Sequence, residues 1–84
     1  MTAHTLVNGE WYTIYERIKP AFSWDIHELK WVPNLNALET GSVLRYIRTT
    51  EVQTEPMLIF VTGKHEQRLA FHTDNATKFK TRNK

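Results

Sequence analysis

Apolar and polar positions alternate in short runs along the chain, punctuated by glycine, proline and asparagine. Asn8-Gly9 reads as a tight turn. The segment after it, Trp11 to Ile18, is dense in aromatic and β-branched residues, which suit a pleated surface. A strand is expected over 10–18, stopped by Pro20. Ser42 to Thr49 reads as another strand and Glu51 to Pro56 as a polar loop. Met57 to Thr62 is apolar at both parities, the pattern of a central strand covered on both faces. Gly63 to Glu66 is a hairpin loop. In Gln67 to Thr73, Leu69 and Phe71 then point inward and Arg68, Ala70 and His72 outward. Asp74-Asn75 turns the chain, and Thr77 to Thr81 forms a last short edge strand.

The stretch 23–32 admits two readings. As a strand it places Asp25, His27, Leu29 and Trp31 on one face and Trp24, Ile26, Glu28 and Lys30 on the other, a poor alternation. As a helix, Ser23 caps it, Asp25 and Glu28 sit in the favourable first turn, and Trp24/Glu28 and His27/Trp31 become neighbours. Its Trp and Ile content tips the reading to strand. Pro33 to Asn36 then turns, and 36–40 makes a single helical turn closed by Gly41.

Five or six short strands with tight turns imply a mainly β domain, expected as a small antiparallel barrel of SH3-like or OB-like size. The alternative is an α+β fold with one helix at 23–32 on an antiparallel sheet. The expected core is Ile14, Ile18, Leu29, Leu38, Val43, Ile47, Leu58, Phe60, Leu69 and Phe71.

The chain has 84 residues, read as a single domain over 1–84. At that size only about 60% of the unfolded surface is buried, so a surface patch or shallow groove is easier to build than a deep cleft. With no cysteine, disulfides, thiolate zinc sites and cysteine nucleophiles are excluded. His4, His27, His65 and His72 show no i,i+3 or i,i+4 pair, and no metal or cofactor is expected. Serine occurs only at 23 and 42, outside any nucleophile elbow. The acid pairs Glu51/Glu55 and Asp25/Glu28 read as solvated, and the three glycines lie too far apart for a phosphate loop. The expectation is a binding module rather than an enzyme. Leu6-Val7 is too short an apolar stretch for a signal peptide, and no run approaches the ~20 residues of a membrane helix, so a cytoplasmic protein is expected.

Charge singles out the end of the chain. Four of the eleven Lys and Arg, and none of the nine acids, fall in 75–84, which leaves seven bases against nine acids before it. In an extended tail Lys78, Lys80, Arg82 and Lys84 share one side. With Arg45, Tyr46, Arg48 and Arg68 they form the expected contact surface for RNA or single-stranded DNA, where cations track phosphates and aromatics stack on bases. The competing expectation is a protein partner, or a homodimer, engaged through Phe22, Trp24, Asp25, Glu28 and Trp31, since Trp and aromatics anchor interfaces. Such a chain would be a small regulator, inhibitor or adaptor. The nucleic-acid reading stands slightly ahead.

Overall fold

The structure, a computed structural model, describes residues 6–34, 36–63 and 66–81. Seven strands form: β1 (Trp11–Ile14), β2 (Phe22–Asp25), β3 (Lys30–Pro33), β4 (Val43–Val52), β5 (Glu55–Thr62), β6 (Arg68–His72) and β7 (Phe79–Thr81). A 3-10 helix, Thr73–Lys78, leads into β7. Among the described residues no helix is long and apolar enough to cross a membrane.

The mainly β expectation holds. All seven strands join one antiparallel sheet in the order β3-β2-β6-β5-β4-β1-β7. The sheet ends at β3 and β7 without pairing between them among the described residues, so it is not a closed barrel. Nor is 23–32 one strand or one helix. It is the β2–β3 hairpin, in which Trp24 faces Trp31 and Asp25 faces Lys30. The α+β alternative therefore falls with it.

β5 dictates the packing. Met57, Leu58, Ile59 and Phe60 are all buried, as a strand apolar at both parities requires. Leu58 and Phe60 face an inner cluster with Tyr12, Ile14, Ile18, Leu44, Tyr46, Leu69, Phe71 and Phe79. Met57 and Ile59 face the other way, into a smaller cluster with Val52 and Ala70, backed by Ala21, Phe22, Trp31 and Ile47. Ala70, expected outward in water, is thus buried on this outer face.

Phe60 is the hub of the inner cluster. It stacks on Phe79 at 4.2 Å between ring centroids, and Phe71 meets both rings edge-on at 5.5 and 5.3 Å. Tyr46 and Tyr12 complete its surroundings at 5.3 and 6.3 Å. Such contacts add to the burial of each ring. Phe79, flanked by lysines in sequence, is therefore a core residue, carried in by β7 pairing with β1 (Ile14↔Phe79).

Of the expected core, Ile14, Ile18, Leu58, Phe60, Leu69 and Phe71 are buried, and Leu38 packs against them through an Ile18↔Leu38 bridge rather than a helical turn. Val43 and Ile47 are half-buried on the outer face, because β4 turns Leu44 and Tyr46 inward instead. A register shift between Tyr46 and Arg48 then inserts Ile47 as an extra residue. It sets Tyr46 and Thr49 on the same face, where their hydroxyls lie 2.6 Å apart. Leu29 is the clear misplacement: it is 71% exposed in the β2–β3 turn, at φ 57.

Phe79→Ala should cost about 3–5 kcal/mol in urea denaturation, a large part of the roughly 4–12 kcal/mol typical of 84 residues. The exposed neighbour Lys80→Ala should stay within about 0.5 kcal/mol. Equal effects would refute the role of the ring stack. Leu29→Asn should raise the midpoint, by up to about 1 kcal/mol, since asparagine tolerates the left-handed backbone and the leucine side chain has little packing to lose. A lower midpoint would mean that Leu29 is held by packing after all.

Candidate functional site

The outer face carries a line of chemistry that runs across the strands. Antiparallel pairing sets Trp11 opposite Arg45, Arg45 opposite Val61, and Val61 opposite Arg68. β2 pairs with β6 through Phe22↔Ala70 and Ser23↔Leu69, so the next step brings Trp24 opposite Arg68. Trp24 in turn faces Trp31. Directly paired residues project to the same side of a sheet. One row therefore crosses six strands: Trp31, Trp24, Arg68, Val61, Arg45, Trp11. Five interstrand steps of about 4.8 Å give it a length of about 24 Å.

Two shallow grooves follow this row and share Ile47 and Arg68. The first, about 360 Å³, has Trp24, Trp31, Ile47 and Ile59 as apolar walls and Arg48, Arg68, Thr50 and Glu51 as polar ones. The second, about 400 Å³, lies between Trp11, Arg45, Val61 and Arg68, with Glu66 at its margin. Two of the sequence-predicted surfaces thus merge. The strand arginines and the tryptophan pair, expected to serve different partners, line a common groove.

Each tryptophan is held. Trp24 and Trp31 meet edge to face at 5.3 Å, and Trp31 packs on the Met57–Ile59 cluster. Both are half-buried. At the far end Trp11 is 39% exposed and its indole lies over Gly63, where a Cβ would come within 3.2 Å of the ring. Glycine at 63 is what lets the ring lie this close to the end of β5.

Arg45, Arg48 and Arg68 are exposed. Arg45 donates from Nε to the carbonyl of Gly9 at 3.3 Å, which steadies the side chain and leaves its terminal nitrogens available. None of the three takes part in an ion pair among the described residues. The pairs that do form are Arg17–Glu39 at 3.2 Å and Lys78–Glu16 at 3.9 Å, and His72 Nδ1 lies 3.5 Å from a Glu55 carboxylate oxygen, all at the surface. The last borders a larger, mainly apolar hollow of about 570 Å³ between Pro20, Phe22, Pro33, Val52 and Met57.

Several expected site residues stand elsewhere. Tyr46 is buried, 5% exposed, and points to the inner face, so it offers no ring to a ligand. Lys78 does not continue an extended row with Lys80, because it belongs to the 3-10 helix and is paired with Glu16. Lys80 lies on β7, 5.0 Å above the Tyr15 ring. Arg82 and Lys84 lie outside the described residues, as do His4 and His65. Phe22 supports the outer cluster, and Asp25 and Glu28 belong to the hairpin turn. Trp11 is the site residue that the sequence left unassigned.

The hairpin turn positions the tryptophan pair. Asp25 Oδ1 accepts from the backbone N–H of His27 at 2.9 Å and of Glu28 at 3.0 Å, and Leu29 N–H donates to the Asp25 carbonyl at 2.7 Å. These N–H groups, Glu28 first and His27 second, hold the Asp25 carboxyl below its ordinary range.

Compared with protein-family models, with curated proteins and with solved structures, the chain matches none.

A group whose folded-state pKa is depressed stabilises the fold above its unfolded value, ~3.9 for aspartate, and loses that contribution as pH falls through the lower one. Acidification below about pH 4 should therefore loosen the Trp24–Trp31 pair, read as loss of its near-ultraviolet dichroism. Asp25→Asn keeps an acceptor without the charge and should remove part of that dependence. An unchanged acid profile in Asp25→Asn would show that the turn does not contribute.

Proposed function

We propose that this chain is a small non-enzymatic binding module for single-stranded nucleic acid, RNA or DNA, held on the outer face of its sheet. The reading rests chiefly on the row Trp31, Trp24, Arg68, Val61, Arg45, Trp11. Aromatic faces interleaved with guanidinium groups suit an unpaired strand: bases stack at ~1–3 kcal/mol each, and Arg contacts phosphate while also stacking on bases. A sheet surface of this kind recognises unstacked bases without a deep pocket. The three arginines give the patch its sign, against Glu51 and Glu66 at the groove margins. Lys80 extends the cationic surface by one further strand pair, through Thr13↔Lys80 and Thr13↔Val43. The small mainly β scaffold would serve as a rigid platform of the kind small barrels provide, here with its edges unjoined. We place the protein in the cytoplasm on this reading.

A second reading, contact with a protein partner, draws on the hairpin tip. Ile26 and Leu29 are 69% and 71% exposed there, beside Trp24 and Trp31. It ranks behind the first because the tip is narrow, and the row carries both aromatic and charged groups.

Fluorescently labelled oligothymidylate and oligouridylate should bind with a salt slope near −2 on a log–log plot, as about three phosphate contacts predict for a single strand. Arg45→Ala with Arg68→Ala should flatten that slope by about 1.4, and Trp24→Ala should weaken binding roughly five- to 150-fold. Absence of any salt-dependent binding by the folded protein at about 50 mM salt would refute the nucleic-acid reading and leave the protein-partner one.

A further inference from the structure

Resting on the nucleic-acid reading, we infer that the strand crosses the sheet at right angles to the β-strands, between two stacking stations: the Trp24/Trp31 pair on β2–β3 and Trp11 on β1. Their backbones sit at opposite ends of the row, four strand steps apart from Trp24 to Trp11, or about 19 Å, and the Trp11 indole reaches back over Gly63 at the end of β5, so the rings lie closer than that. Between them lie Arg68, Val61 and Arg45, so among the described residues the span offers cations and a half-buried aliphatic floor but no third ring. Both stations already have protein contacts of their own. One is a packed edge-to-face pair, and the other rests on Gly63. A rigid ring costs little conformational entropy on binding, which favours stacking on a surface this open.

This geometry sets a minimum ligand length. At the ~3.4 Å rise of stacked nucleotides, 19 Å corresponds to about six nucleotides as an upper limit, and fewer because the Trp11 ring leans toward the other station. The lower bound matches the ~4 nucleotides that the smallest single-strand sites cover. Shorter chains reach one station only. Longer chains reach both, and the second contact then acts at the high effective concentration of a tethered group. Base identity matters little, because every base has a face to stack.

The test is a ladder of oligothymidylates from two to twelve nucleotides, titrated against the intact protein and against Trp11→Ala and Trp11→Phe. Affinity of the intact protein should climb steeply up to about four to seven nucleotides and then level off. Trp11→Ala should bind the shortest chains as before and lose roughly five- to 150-fold on the longer ones, so that its plateau begins earlier. Trp11→Phe should restore most of the length dependence. A Trp11→Ala protein that keeps the melting curve of the intact chain but weakens all lengths by the same factor, or none, would overturn the two-station path while leaving nucleic-acid binding in place. Failure of every oligonucleotide to bind would remove the underlying reading as well.

Discussion

A strand that is apolar on both sides must be covered on both sides, and β5 is such a strand. The chain meets this unequally. On the inner side the sheet wraps Phe60 in four other rings and leaves it no contact with water. On the outer side the buried cluster is small, Val52, Met57, Ile59 and Ala70, beneath the β2–β3 hairpin and half-exposed neighbours. A chain of this length lacks the residues for a second complete layer. The outer face is thus a partly finished core, with large aromatics at its rim.

Alternation converts that incomplete face into a patterned one. Cβ atoms point to opposite faces at successive residues, so a register that buries Tyr12, Leu44, Phe60 and Leu69 also turns Trp11, Arg45, Val61 and Arg68 outward together. The row needs no separate device to assemble it. Slippage of one residue between any two of these strands would break the core and the row at once. Folding and the proposed binding surface therefore depend on one register.

Strands with clear parity were legible in the sequence: Met57 to Thr62 on its two-sided apolar run, and Leu69 and Phe71 on their alternation. Two of the turns were not. Gln53 and Thr54 both adopt positive φ in the tight β4–β5 turn, and Leu29 does so in the β2–β3 turn, with no glycine at those positions. Glu51 to Pro56 consequently looked like a polar loop, and two short strands looked like one awkward segment. Along β4 both parities are partly apolar, Val43 and Ile47 against Leu44 and Tyr46. The bulge at Ile47 then breaks the alternation that would have decided between them. Trp11 could be placed opposite Arg45 only through a pairing of strands thirty-odd residues apart, which no local pattern encodes.

The balance of charge takes a different meaning in three dimensions. Before residue 75 the chain is slightly acidic, which argues against a surface basic throughout. Yet Glu16, Glu39 and Glu55 are engaged with Lys78, Arg17 and His72, away from the row. Exposed pairs of this kind contribute little to stability, but they set two of these acids, Glu39 and Glu16, against cations other than those of the row. Arg45, Arg48 and Arg68 stay exposed and outside any ion pair among the described residues, while the protein as a whole stays near neutrality. A modest local field of that sort favours short-range capture over long-range steering, because at physiological salt the field decays over a Debye length of about 8 Å. In the proposed complex, stacking on Trp24, Trp31 and Trp11 would supply much of the affinity, and the arginines its dependence on salt.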